Sequence, residues 1–208
     1  MALGQQDIPG LFEKYTDFSK MKARSGGENK KNSMHHHNPT FKYCPVCGGL
    51  LKTERPRHTE PSRLVCSRCD FVFYLDPKVV ACSIVEMEDR IVLLRRAINP
   101  QKGKWVMPGG YVDRGEEVEA AAIRETEEEC GLKTQIGRLL GVYSYHSEMT
   151  VVIVYLTQHL SGDLISGDET LEAMLFSERD IPWEDLAFRS TRDALKDYCE
   201  FRDYREKT

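Results

Sequence analysis

The sequence predicts a two-part chain of the α/β class, with a mixed sheet between helices following a small cysteine-framed unit. Three observations carry that reading. Two Cys-x-x-Cys pairs, Cys44/Cys47 and Cys66/Cys69, stand eighteen residues apart. From Asp76 onward, strand-length apolar runs alternate with stretches of helical composition. Within that half, residues 108–132 read PGGYVDRGEEVEAAAIRETEEECGL, a Pro-Gly-Gly turn feeding an alanine- and glutamate-rich segment that stops at Gly131. Such a composition favours helix, and glycine ends helices because it takes left-handed backbone angles without a Cβ clash.

Composition sets the bounds. A length of 208 residues suits one ordinary domain of roughly 100–200 residues plus something small. With 40% hydrophobic and 30% charged residues the balance is globular, so a core can be buried. A net charge of −4 gives no general attraction to nucleic acid or to an anionic membrane, so neither is an expected partner. No apolar run reaches the roughly 18 residues of a membrane span. The N-terminus lacks the apolar core of a secretory signal. Seven cysteines, an odd number with four in paired motifs, fit metal binding in a reducing compartment better than a disulfide framework. The expected location is cytoplasmic.

Taken in order, residues 1–40 read as a flexible extension. Ile8, Leu11, Phe12, Tyr15 and Phe18 follow helical spacing, and residues 25–40 are polar and glycine-containing. Asp7, Glu13 and Asp17 argue against a transit peptide. His35, His36 and His37 are a solvent-exposed polar tract or an adventitious metal binder. Residues 41–76 read as a zinc ribbon, because the spacing of Cys44, Cys47, Cys66 and Cys69 is that of a four-thiolate site. Four thiolates leave no open position on the metal, so this Zn²⁺ holds structure and does no chemistry. A unit this small has too little apolar surface to fold without it. Arg55, Arg57, His58, Arg63 and Arg68 make its loop basic, and a solvated loop is the simpler account than a nucleic-acid face.

Residues 77–208 carry the α/β pattern. Runs at 79–85 and 91–94 read as strands joined at Glu88-Asp89-Arg90, followed by a loop at 98–106 in which Trp105 leads into the Pro-Gly-Gly turn. Further strands are expected at 139–145, 151–156 and 171–176. A final helix over about 191–205 has Ala194, Leu195 and Tyr198 as its apolar stripe. Cys82 and Cys130 suit a core, and Cys199 a helix face.

The chemistry lies on the acidic helix. Glu125, Glu128 and Glu129 stand at i, i+3 and i+4, within an arc of about 100°. Carboxylates held that close repel one another, and a divalent cation among them relieves the repulsion. Hard oxygen ligands suit Mg²⁺ or Mn²⁺. The plainer alternative is a solvated acidic helix, since Glu116, Glu117, Glu119 and Glu127 make the segment acidic all round.

Counted from Gly110, the order is glycine, five residues, Glu116, seven residues, Arg124-Glu125-Thr126, Glu127, Glu128-Glu129, Cys130, Gly131, Leu132. This resembles the Nudix box, G-x5-E-x7-R-E-U-x-E-E-x-G-U, with Thr126 where a bulkier aliphatic is usual. The resemblance implies the Nudix fold, an α/β/α sandwich, and a Mg²⁺- or Mn²⁺-dependent hydrolase of nucleoside diphosphate-linked compounds. It implies that the Gly109 carbonyl joins Glu125, Glu128 and Glu129 on the metal, with Gly110 opening the box. It also implies that Glu116 and Arg124 pair to brace loop against helix. Glu169 is the further carboxylate expected as ligand or general base, with Glu172 second and an exposed loop acid the alternative for either.

A zinc ribbon ahead of such a box resembles two branches, NADH pyrophosphatases and a group similar to FAD and ADP-ribose pyrophosphatases. The first carries a Ser-Gln-Pro-Trp-Pro-Phe-Pro segment after the box, where this chain has GVYSYHSEMTV at 141–151. The stretch IPWEDLAFRST at 181–191 looks like the second group, which favours FAD, cut to AMP and FMN, or ADP-ribose. NADH and nucleoside triphosphates are the alternative substrates. A nucleotide-sensing binding module is the alternative of another class, against which the full set of box carboxylates speaks. Trp105, Tyr143 and Tyr145 are candidates to stack on adenine or flavin, and Arg95 or Arg96 to meet phosphate. Tyr143 and Tyr145 share one strand face, so sheet packing is the alternative for both. The expected partner is a small nucleotide, with a homodimer left open.

Overall fold

A computed structural model describes residues 41–146 and 148–206. The extension expected over 1–40, with its helical spacing and histidine tract, lies outside the described residues. Contacts divide the chain between Val72 and Phe73. No helix among the described residues is long and apolar enough to cross a membrane.

The first unit is built on a three-stranded sheet of β1 (Leu51–Glu54), β2 (Arg63–Cys66) and β3 (Val72–Phe73), the last ending at the boundary residue Phe73. β1 runs antiparallel to β2, with Leu51 opposite Cys66. That register brings the turn holding Cys44 and Cys47 beside the turn holding Cys66 and Cys69.

The second unit begins with a hairpin of β4 (Lys78–Met87) and β5 (Arg90–Arg96). Its turn residues Glu88 and Asp89 both adopt positive φ, 52° and 58°, the handedness that suits a two-residue hairpin because it matches strand twist. Then follow β6 (Trp105–Val106), β7 (Gly109–Tyr111), α1 (Val118–Cys130), β8 (Lys133–Ser144), β9 (Thr150–Ser161), β10 (Thr170–Phe176) and α2 (Arg189–Glu206). The sheet order is β10-β5-β4-β9-β8, with β4 parallel to β9 and the other pairs of that path antiparallel.

β4 and β5 pair directly only at Glu86/Ile91 and Met87/Arg90, and then part. Into this fork go β6, paired with β5, and β7, paired with β4 through Val80/Tyr111, Ala81/Gly110 and Cys82/Gly109. The expected loop over 98–106 therefore ends in a strand, and the expected Pro-Gly-Gly turn is itself partly strand. Segments of two or three residues carry no readable alternation; their pairing is set by the open backbone groups of the fork. β8 and β9 also outrun the expected 139–145 and 151–156, because hydrogen bonding to each other extends them past their apolar centres.

Helices cover both faces. Along β4, Ala81 and Val85 turn toward α1, whereas Cys82 and Ile84 turn toward α2. Ala121 and Ala122 of α1 pack on Ala81 and Tyr155. Ala194, Leu195 and Tyr198 of α2 join Ile84, Leu93 and Val154 on the other side. The helix expected to stop at Gly131 does so, with Gly131 at φ 73° and its N–H donating to the Glu127 carbonyl at 2.9 Å.

Candidate active site

β7 and α1 meet at the acidic cluster. The Gly109 N–H donates to Glu129 Oε2 at 2.8 Å. A Cβ on Gly110 would fall on the Glu125 carboxylate, and one on Gly109 would strike the Ala81 carbonyl and Cys82. Gly109 thus brings main chain against carboxylate where no other residue fits, and Gly110 leaves the space that the Glu125 carboxylate occupies.

Arg124 ties the cluster together. Its Nε and Nη2 donate to the two Glu116 oxygens at 2.7 and 2.9 Å, and Nη2 also reaches the Tyr111 carbonyl at 3.1 Å. Its Nη1 donates to Glu125 Oε1 at 2.8 Å and Glu128 Oε2 at 3.1 Å. Glu116 also accepts from the Asp113 N–H at 3.0 Å, which closes the turn ahead of α1. Glu125 lies inside this web with 16% of its side chain exposed, and Glu128 stands at the rim with 59%.

Electrostatics separate the acids. Hydrogen bonding from Arg124, then from the Asp113 amide, pulls Glu116 down to about 2. Burial pushes Glu129 up to about 7, against the Gly109 amide and with the nearby charges of Glu125 and Glu169 adding to the rise. Burial also raises Glu125, against its pairing with Arg124. Burial thus disfavours the charged form of two neighbouring carboxylates despite Arg124 and Arg96, and a hard divalent cation bound among them would favour it. The groups that could hold one are Glu125, Glu128, Glu129, the Gly109 carbonyl and Glu169. Among the described residues their oxygens do not converge as the cysteine sulfurs do, because Arg124 and the Gly109 amide engage them individually.

The other candidates scatter. The Glu169 carbonyl accepts from the Ala97 N–H at 2.8 Å, and its charge acts on Glu129. Glu172 instead faces Arg95 at 3.7 Å, and Arg95 Nε donates to the Gly103 carbonyl at 3.0 Å, so this pair is occupied with its own loop. Arg96 donates from Nε to the Pro100 carbonyl at 2.9 Å, lies over the Phe188 ring at 5.1 Å, and acts electrostatically on Glu129. Trp105 is half-buried edge-on against Phe176, 4.9 Å between centroids. Tyr143 and Tyr145, read as candidates for stacking with sheet packing as the alternative, lie against the helix layer of α2. Their hydroxyls donate to Asp197 and Asp193 of α2 at 2.8 and 2.9 Å, Tyr143 from the end of β8 and Tyr145 from just beyond it. Sequence reading missed Gly167 and Thr170, both hydrogen-bonded to the Glu129 carbonyl; the Gly-Asp pair at 167–168 signals only a turn.

In the ribbon, Cys44 and Cys69 sulfurs lie 3.8 Å apart and those of Cys47 and Cys66 3.5 Å. Zinc–sulfur bonds of about 2.3 Å in a tetrahedron require edges near 3.8 Å, so the quartet fits Zn²⁺. The amides of Val46 and Arg68 donate to Cys44 and Cys66 sulfurs, each at 3.4 Å. The Arg68 amide chiefly lowers Cys66 to about 7. Cys69 goes up to about 12, the Phe71 amide being outweighed by neighbouring sulfurs and burial.

The mixed sheet between two helices, with acidic side chains gathered where β7 meets α1, places the chain in the class of α/β/α sandwiches with an acidic site. The chain belongs to the Nudix family: the NUDIX domain model matches residues 75–198, and the Nudix N-terminal zinc-ribbon model matches residues 42–75. It is a Nudix hydrolase. An ADP-ribose pyrophosphatase of Methanocaldococcus jannaschii is 38% identical over 133 residues, 62% of this chain and 77% of that protein. The NAD-capped RNA hydrolase NudC of Escherichia coli is 31% identical over 145 residues, 69% of this chain; the chain spans about half of that relative, 54%. A NUDIX hydrolase structure from Nitrosomonas europaea superposes with a TM-score of 0.75 at 37% identity, covering 79% of this chain and 93% of the other.

Proposed function

We propose that this chain is a Mg²⁺- or Mn²⁺-dependent pyrophosphatase that splits the diphosphate of an ADP-linked compound, ADP-ribose or a dinucleotide. The observation that carries the proposal is the acidic cluster where β7 meets α1: Glu129 accepts from the Gly109 N–H, the Glu125 carboxylate fills the space beside Gly110, and Arg124 holds Glu125 and Glu128 together, with the charge of Glu169 acting on Glu129. In this reading residues 41–76 are the zinc ribbon, 77–208 the hydrolase, and the protein is cytoplasmic. The substrate class is supported by the names of two relatives, an ADP-ribose pyrophosphatase and an NAD-capped RNA hydrolase, whose substrates share an adenosine diphosphate joined to a second ribose.

When bound, the divalent cation would neutralise phosphate oxygens and polarise phosphorus. Glu125, Glu128, Glu129, Glu169 and the Gly109 carbonyl would hold it. The chain itself supplies the rest. Arg124 fixes Glu125 and Glu128 from behind and braces Glu116, so the acids meet the substrate in one arrangement. Arg96, held by the Pro100 carbonyl and the Phe188 ring, offers charge to the diphosphate. A carboxylate of this set takes the proton of the attacking water as the bond from the attacked phosphorus to the bridging oxygen breaks and the other phosphate leaves with that oxygen.

FAD, giving AMP and FMN, is the finer reading. Residues 181–191 carry the likeness that favours it, and Asp185 and Phe188 of that stretch contact Lys104 and Arg96. A product assay on FAD, ADP-ribose, NADH and nucleoside triphosphates, each with Mg²⁺ and with Mn²⁺, tests both levels. AMP with FMN or with ribose 5-phosphate is expected. Pyrophosphate or orthophosphate from triphosphates alone would sink the substrate class, and nucleotide binding without turnover would favour the sensing module.

A further inference from the structure

The last carbonyls of an α-helix have no amide one turn ahead and must find partners elsewhere. At the end of α1 the segment leading into β10 provides them. Ile165 N–H donates to the Cys130 carbonyl at 3.1 Å and Gly167 N–H to the Glu129 carbonyl at 3.0 Å. The Thr170 hydroxyl donates to that same Glu129 carbonyl at 3.3 Å. Thr170 N–H closes back on the Gly167 carbonyl at 3.0 Å, so residues 167–170 form one tight turn clamped at both ends to a single oxygen. Thr170 is buried. Gly167 has no room to grow, because a Cβ there would stand 2.5 Å from the Glu128 carbonyl. The residue carried inside this turn is Glu169, whose own carbonyl is held by the Ala97 N–H on the other side.

We propose that Gly167 and Thr170 are positioning residues: by docking on the Glu129 main chain they fix Glu169 relative to the α1 carboxylates and so set the affinity of the site for its divalent cation. The turn reads the main chain of the very residue whose side chain lies on Gly109, which couples the position of Glu169 to that of Glu129. This inference rests on Glu169 belonging to the cation-holding set.

The test is a Mn²⁺ titration of the full chain, reading free Mn²⁺ by electron paramagnetic resonance, with thermal unfolding in parallel. Thr170→Val, which keeps shape and removes the hydroxyl, is expected to weaken Mn²⁺ binding roughly fivefold, the net worth of about one hydrogen bond. Thr170→Ser should restore it. Glu169→Gln should weaken binding at least as much, and adding Thr170→Val to Glu169→Gln should cost nothing more, since the two act through one group. Gly167→Ala keeps every hydrogen-bonding group but crowds the Glu128 carbonyl, and carries the same expectation should Thr170→Val fail to fold. Unchanged Mn²⁺ affinity in the folded variants, or full additivity with Glu169→Gln, would overturn the proposal; a purely structural role would lower the melting temperature alone. If Glu169→Gln itself leaves Mn²⁺ binding intact, positioning of Glu169 is refuted, while release of AMP from an ADP-linked compound by the parent chain would still uphold the pyrophosphatase reading.

Discussion

Arg124 shows why a guanidinium is needed at this point. One planar fork meets both oxygens of Glu116, the Tyr111 carbonyl, and one oxygen each of Glu125 and Glu128, a set that a single ammonium cannot span. Its pairing leaves a signature in acid. Glu116 falls from the ordinary 4.5 to about 2 in the folded chain, so its contribution to stability is present above the ordinary value and lost as pH drops through the interval toward 2. Acid unfolding of Glu116→Gln should lack that component, and parallel curves for variant and parent would show the pair to be energetically idle. Glu128 stands at the rim with 59% of its side chain exposed, so the fold leans on it little and its proposed part in holding the cation can be tested alone. Glu128→Gln should cut turnover by roughly 10²–10³-fold, the scale seen when one electrostatic contact to a transition state is removed, with zinc content and melting temperature retained. Near-normal rates would show that these carboxylates do not organise catalysis.

At the scale of elements, the ribbon and the fork solve different problems. β1 and β2 are four residues each, too short to bury a core, and the thiolate quartet between the two cysteine turns does the work of one. Stripping zinc with a thiol-reactive mercurial should release one equivalent of metal and expose residues 41–72 to protease, while far-ultraviolet circular dichroism keeps the α/β signal. Protease resistance after zinc loss would mean that the strands hold without metal. The fork between β4 and β5 instead admits β7, whose Gly109 and Gly110 face Cys82 and Ala81 and so deliver bare main chain to the carboxylates of α1. Neither strand of the fork could do this if the hairpin stayed paired beyond Glu86 and Ile91.

For the whole molecule, the sandwich segregates chemistry from packing. All the candidate metal-holding acids lie on or beside α1, whereas α2 buries Ala194, Leu195 and Tyr198 on the far face of the sheet. Leu195→Ala should therefore destabilise the fold by about 2–5 kcal/mol, the usual cost of such a cavity, without shifting Mn²⁺ affinity of the folded protein. A change in metal affinity would mean that the two faces are coupled through the sheet. The same segregation explains what was legible beforehand. The arc of Glu125, Glu128 and Glu129, the stop at Gly131, the stripe on α2 and the cysteine quartet follow from helical periodicity, glycine's backbone freedom and metal-ligand spacing. These are local rules, satisfied within a few turns or by a fixed count of residues. The partition of Tyr143 and Tyr145 to the α2 face, the strand at Gly109, the pairing of Glu172 with Arg95, and the Gly167–Thr170 clamp belong to tertiary structure. Each depends on a backbone group or side chain distant in sequence, and only the folded sheet decides which partners come within hydrogen-bonding reach.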